Sequence, residues 1–258
     1  MLLHIGTLAL DINSKQLTLW HKLAPRTRIL CTLLLVFAIS LTPNGHWWTW
    51  AIYGLTVACV LLLSKITFSV LLKRLAVELG FVGVVLLGTL FRGGGTVLWA
   101  WGPLQITTVG LTILGSVTLK ALLSLLMLNL LTLTTSVSAL LHGLIELRTP
   151  PLLVAILGSM YRYISVLINE FSTMRRAAAS RNLMNGKSTI RLVVGNMIGA
   201  LFIRTYERGN RVHQAMLSRG YEGVLPIEKV PQGGRSDVMA LTLTVIIALL
   251  GQAVYLIL

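Results

Sequence analysis

Leu217-Ser218-Arg219-Gly220 ends one helix-like segment and Ala179-Ser180-Arg181-Asn182 ends the one before it, so two arginines stand 38 positions apart, each after a small residue. The segments they close run from Thr149-Pro150-Pro151 to about Asn182 and from about Ser188 to Leu217, with Asn185-Gly186 as the break between them. A hydroxyl at Thr149 followed by proline in the first turn is a helix-start signal, and glycine or asparagine after the last turn is a stop. Each helix has about 30 residues and a length of roughly 45 Å.

The charge of the chain gathers around this pair. Thirteen of its 22 basic residues fall between Arg148 and Arg235, against four acids there, Glu170, Glu207, Glu222 and Glu228. The second helix sets Arg204, Arg208 and Arg211 on one stripe and adds Glu207 to Arg211 at the favourable i,i+4 spacing. Both helices mix an apolar face with arginines, which suits two long helices lying against a membrane surface or each other better than two spans.

Outside this region the chain reads as membrane. It has 258 residues, is 55% hydrophobic and 12% charged, and has a mean hydropathy of +0.82, about half the charge of an ordinary soluble domain. An integral membrane protein follows. The net charge of +14 does not point to nucleic acid, because the basic residues are segregated between long apolar runs instead of lining a polar face. The positive bias of cytoplasmic loops accounts for them.

The runs alternate in a consistent sense. Lys15, Lys22, Arg26 and Arg28 precede a first span, Ile29 to Leu41, closed by Pro43-Asn44-Gly45. Residues 1 to 28 lack the small-residue site of a cleavable signal, so the N-terminus is expected in the cytoplasm. Trp47, Trp48 and Trp50 open a second span to about Leu63 and mark the outer interface, where indoles collect. Lys65, Lys73 and Arg74 return the chain to the inner side before a third span, about Leu75 to Phe91. Gly93-Gly94-Gly95, Trp99, Trp101 and Pro103 then form an external loop.

Val109 to Leu141 reads as one long helix of roughly 50 Å. Its Ser124, Asn129, Thr132, Thr134, Thr135 and Ser136 let helices approach closely in lipid. Lys120 within it is an intramembrane charge, hence a functional suspect, although it lies near enough to an end to snorkel. Val238 to Leu258, without a charge, is a closing span that leaves the C-terminus outside. The fold expected is all-α and polytopic, with about five transmembrane helices and two long cytoplasmic helices. The divisions are 1–141 (four membrane helices), 142–235 (the cytoplasmic helix module) and 236–258 (the last membrane helix).

Several chemistries are excluded. Gly186-Lys187-Ser188 looks like the end of a phosphate-binding loop, but Arg181 stands where the pattern needs glycine, and a helix precedes it instead of a strand. His4, His21, His46, His142 and His213 are scattered without ligand spacing, so no metal site is expected from this chain. Cys31 and Cys59 lie inside apolar runs without a CxxC pattern and are expected to be packing residues.

In this order of features the chain resembles the transmembrane T component of energy-coupling factor (ECF) transporters, and most closely its cobalt/nickel branch, the CbiQ family. The likeness is carried by Leu23-Ala24-Pro25-Arg26-Thr27-Arg28, Leu131-Thr132-Leu133-Thr134-Thr135, Arg148-Thr149-Pro150, Tyr161-Arg162-Tyr163, and Arg204 to Gly220 (RTYERGNRVHQAMLSRG) followed by Tyr221. It covers nearly the whole chain. In that family two coupling helices end in Ala-Arg-Gly-like motifs, each of whose arginines docks into one ATPase subunit.

The resemblance therefore implies Ser180, Arg181 and Asn182 as one docking motif and Ser218, Arg219 and Gly220 as the other, with Arg162, Arg204, Glu207, Arg208 and Arg211 supporting the helices. The chain departs from the pattern where Ser180 and Ser218 replace alanine and Asn182 replaces the first glycine. The resemblance further implies two ATP-binding-cassette partners that bind the ATP, no cofactor in this chain, and a substrate-binding S component of cobalt/nickel type with a small accessory membrane subunit. It places the protein in a bacterial inner membrane, without catalytic residues and without nucleic acid. Three other readings stay open: a T component for a vitamin, a membrane enzyme near Lys120 and Glu78, and a scaffold that docks a soluble partner without transport.

Overall fold

The computed structural model describes residues 18, 20, 21, 23–43, 45, 47–64, 68–90, 97–101, 104–222 and 233–257. They form eight helices and one short hairpin: α1 (Pro25–Leu41), α2 (Trp47–Ser64), α3 (Phe68–Leu90), β1 (Val97–Trp101), β2 (Leu104–Thr107), α4 (Thr108–Thr134), α5 (Val137–Glu146), α6 (Pro151–Ser180), α7 (Lys187–Leu217) and α8 (Arg235–Ile257). The all-α polytopic reading holds. Among the described residues three helices are long and apolar enough to cross a membrane, within Thr108–Thr134, Pro151–Ser180 and Arg235–Val254. The first half of α6 is thus as apolar as a span, although the helix was expected to lie on the surface.

The chain divides into two compact units. The first, a membrane bundle, holds the described residues up to Gly143 and those from Gly233 onward. In it α4 packs against α1, α2 and α3, and α8 packs against α1 and α2. Leu35 and Ile39 of α1, Trp50, Tyr53 and Val57 of α2, and Leu123 and Met127 of α4 interlock as one buried cluster, while Leu71 and Leu75 of α3 meet Leu133 of α4. These positions recur at three- and four-residue steps, the spacing of one helix face.

Lipid supplies no hydrophobic drive between helices, so close packing and polar contacts must hold the bundle. The Tyr53 hydroxyl donates to the Ala248 carbonyl at 3.4 Å, and Gln252 Nε2 donates to the Ala38 carbonyl at 3.0 Å. Asn129, 4% exposed, donates to Glu78 Oε2 at 2.6 Å. Gly251 lies so close to the Tyr53 ring that an added Cβ would overlap it.

Several expectations are corrected. The single long helix over 109–141 is two helices, because the chain turns at Thr135 and Ser136. The Ser136 hydroxyl accepts the Ala139 N–H at 3.3 Å and starts α5, and the Arg28 guanidinium takes the Thr134 carbonyl at 3.1 Å. α3 begins seven residues earlier than expected, so Lys73 and Arg74 are helical. Within the presumed external loop, 97–101 pairs antiparallel with 104–107. Trp48 is exposed, but Trp50 turns into the core, and Cys59 is exposed where packing was expected; Cys31 is fully buried.

The second unit runs from Leu144 to Glu222 among the described residues and consists of the end of α5, α6 and α7. Thr149 does not cap α6 as expected. Its hydroxyl and its N–H both donate back to the Leu144 carbonyl, closing α5, while Arg148 takes a left-handed φ of 60°. Pro151 then opens α6 at the position where a missing N–H costs nothing. α7 starts after Gly186, whose φ of 87° turns the chain between the two helices.

Candidate functional site

The two Ser-Arg motifs close on the same pair of backbone hydrogen bonds. After α6, Asn182 adopts φ 56°, the Asn182 N–H donates to the Ala179 carbonyl at 3.0 Å and the Leu183 N–H donates to the Ala178 carbonyl at 3.1 Å. After α7, Gly220 adopts φ 80°, its N–H donates to the Leu217 carbonyl at 3.0 Å and the Tyr221 N–H donates to the Met216 carbonyl at 3.1 Å. Each is a Schellman end, in which a left-handed residue lets two amides fold back on the last turn. Asparagine tolerates this conformation better than most residues with a Cβ, which is why Asn182 can stand where Gly220 stands.

The hydroxyls repeat the pattern. Ser180 Oγ donates to the Ala177 carbonyl at 2.9 Å and Ser218 Oγ to the Ala215 carbonyl at 3.0 Å. The serines are therefore turned inward on their own helices. Arg181 and Arg219, next in line, are exposed, and among the described residues neither guanidinium forms an ion pair. Asn185 Nδ2 donates to Asn182 Oδ1 at 2.6 Å, which steadies the first end further.

α6 and α7 pack against each other through buried Ala178 and Met197. Their polar tie is Glu170, the only acid of α6: Arg204 Nη1 reaches its Oε1 at 3.5 Å and Arg208 Nη2 its Oε2 at 3.5 Å. Arg211 pairs with Glu207 at 4.0 Å within α7. Sequence reasoning placed Arg204 and Arg208 on one stripe but missed their acceptor. A lone carboxylate on an otherwise acid-free helix beside an arginine stripe was the available signal. Arg162 remains exposed on α6.

An open groove of about 350 Å³ runs between the two helices, lined by Met174, Ala177, Ala178, Leu183, Val193, Asn196, Met197 and Ala200, with Arg181 and Arg204 also on its wall. One motif arginine thus borders an apolar depression. A guanidinium can make paired, charge-assisted bonds to a carboxylate, so the surface suits a partner that offers acid beside apolar side chains.

The residues of the rival enzyme site are otherwise engaged. Lys120 sits 5.8 Å from the centre of the Trp50 ring, a cation–π contact, and Glu78 is held by Asn129. Among the described residues no three His, Cys, Asp or Glu side chains gather as a metal site. The helix α6 precedes Gly186-Lys187-Ser188 where a phosphate-binding loop needs a strand.

Residues 16–230 match the CbiQ family, described as "Cobalt transport protein". The energy-coupling factor transporter transmembrane protein EcfT of Listeria innocua is 31% identical over 79% of this chain and 80% of its own length. EcfT of Bacillus subtilis is 28% identical over 90% of this chain and 93% of its own. A putative fused cobalt transport protein CbiMQ of Methanocorpusculum labreanum is 27% identical over 92% of this chain and 39% of its own. With a family match across most of its length and a relative of this similarity, the chain belongs to the CbiQ family and is a transmembrane T component of an energy-coupling factor transporter.

Proposed function

We propose that this T component couples two partner ATPases to a substrate-binding membrane subunit, with Arg181 and Arg219 as the two docking points, and that the cargo is Co²⁺ or Ni²⁺. The observation that carries the reading is the equivalence of the two helix ends: the same Schellman geometry presents the same residue twice, which fits two copies of one kind of partner. The naming of the family and of the CbiMQ relative for cobalt transport supports the cargo. The ATP is held by the partners and this chain performs no catalysis.

In this mechanism α6 and α7, of 30 and 31 residues, act as stiff rods tied by Glu170, and closure of the ATPases moves both ends together as a rigid body. The basic helix pair faces the cytoplasm with the N-terminus, by the positive bias of inner loops. Truncating one partner of a buried, hydrogen-bonded charge pair costs about 2–5 kcal/mol, whereas an exposed charge contributes less than about 1 kcal/mol. Arg181→Ala and Arg219→Ala should each weaken capture of the ATPases, and the double variant should lose uptake, while Arg191→Ala should behave as wild type. Pull-down of the ATPases and Co²⁺ or Ni²⁺ uptake measure this. A double variant with normal assembly and uptake overturns the docking role; uptake of a vitamin instead of either ion overturns the cargo alone.

A further inference from the structure

The bundle has two connections to the helices α6 and α7. The chain leaves it after Gly143 and returns to it before α8. The parts of the bundle next to both connections are held by one short stretch, residues 20, 21 and 23–28, ahead of and at the start of α1.

On the leaving side, buried Arg28 donates to the Thr134 carbonyl at 3.1 Å and to Thr135 Oγ1 at 3.4 Å, at the C-terminus of α4. Trp20 Nε1 donates to Thr134 Oγ1 at 3.1 Å. Arg28 also donates to the Leu23 carbonyl at 3.0 Å and to the His21 carbonyl, so its fork fixes the segment on itself as well. Further along, a Cβ at Gly143 would lie 2.8 Å from Ile29 Cδ1 and 3.1 Å from the Arg26 nitrogen, so α5 crosses the start of α1 with no room to spare.

On the returning side, Asp237, buried in the first turn of α8, accepts the Ala24 N–H at 2.8 Å on Oδ1 and the Gly234 N–H at 2.8 Å on Oδ2. One carboxylate thereby caps α8 and grips the segment. A cation at a helix C-terminus and an anion in a first turn each complement the helix dipole, so the arrangement is stable in both halves.

We infer that residues 20, 21 and 23–28 form a clasp, with Arg28 and Asp237 as positioning residues, that makes movement of both connections a single movement of α1, α4 and α8. The inference rests on the coupling function proposed above. Without the clasp, a displacement delivered through either connection would be spent in the turn at Thr135 and Ser136 or ahead of α8, and the bundle would stay still. A lysine at position 28 keeps the charge but has three donors on one atom in place of five in a planar fork, so it cannot span the four acceptors of Arg28.

The test uses the assembled transporter with its ATPases and substrate-binding subunit, purified and placed in liposomes, with radioactive Co²⁺ as the probe. ATP hydrolysis and uptake are read on the same preparation for Arg28→Lys, Asp237→Asn and Gly143→Ala. Only assembled complexes are counted, so a variant that fails to fold is replaced by the next of the three. Hydrolysis should stay within about twofold of wild type while Co²⁺ taken up per ATP falls about tenfold, an ordinary size for a coupling free energy. An unchanged ratio in two assembled variants, or hydrolysis and uptake falling in proportion as a merely structural role requires, overturns the clasp. The wild-type complex measured alongside reports separately on the proposed function: its uptake tests the cargo, and the ratio of variant to wild type tests the clasp.

Discussion

Asn182 and Gly220 occupy the same place in two different helices, one residue beyond Arg181 and Arg219, and both hold a left-handed backbone, at φ 56° and 80°. The equivalence makes the helix end, and not the arginine alone, the repeated unit. A non-glycine residue in this region carries a strain of about 1–3 kcal/mol unless its side chain suits it.

Asn182→Gly should therefore keep the first helix end intact, and Asn182→Val should fray it. Hydrogen exchange at the Asn182 and Leu183 amides measures the difference: protection should persist in the glycine variant and drop in the valine variant. Equal protection in both would show that the left-handed residue does not hold the end together.

The Asn129–Glu78 contact joins α4 to α3 inside the bundle. Interhelical hydrogen bonds in membranes are worth on average about 0.6 kcal/mol and rarely exceed about 1.7 kcal/mol. Glu78→Gln keeps an acceptor and should leave thermal stability in detergent almost unchanged, whereas Asn129→Leu removes the donor and should lower it by that order. A larger loss for Glu78→Gln than for Asn129→Leu would assign the carboxylate a role beyond packing.

At Gly251, α8 passes directly against Tyr53 of α2. Gly251→Ala drives a methyl into the Tyr53 ring, and overpacking of this kind costs about 1–3 kcal/mol. Tyr53→Phe in the same chain should recover part of the loss, because it removes the nearest atom and leaves the ring. Melting temperatures of the two single variants and the double variant check this; no recovery would place the clash elsewhere.

The orientation can be read by labelling. In a chain lacking Cys31 and Cys59, a cysteine at Ala100 in β1 should react with a membrane-impermeant reagent added outside, and one at Arg191 in α7 only from inside. Labelling of position 100 from the cytoplasmic side alone would invert the topology.

What was legible in the sequence was local. The break at Asn185-Gly186, the helix ends after Ser180 and Leu217, and the Glu207–Arg211 pair involve neighbours within one turn, where residue type decides geometry. The turn at Thr135 and Ser136 was not legible, because hydroxyls in a membrane helix serve close packing as readily as they start a new helix. Arg28 reads as one of the basic residues before the first span, and Asp237 stands just ahead of the last one, expected from Val238. Their partners lie 106 and 213 positions away, and only the fold brings them together. Trp50 misled for a related reason: helices apolar on every side carry no stripe to show which indole faces the core.

The bundle is assembled from two stretches of chain with α6 and α7 between them, and this has a consequence for the order of its synthesis. When α1 to α4 have left the ribosome, the Ala24 N–H and the Ala38 carbonyl still lack Asp237 and Gln252, and Tyr53 has no Gly251 to pack on. At about 5–20 residues per second the seat of α8 stays vacant for several seconds while the arginine-rich helices are made. The membrane half of the protein thus waits on its last helix, and until that helix arrives the face of α1 and α2 that it covers stays open.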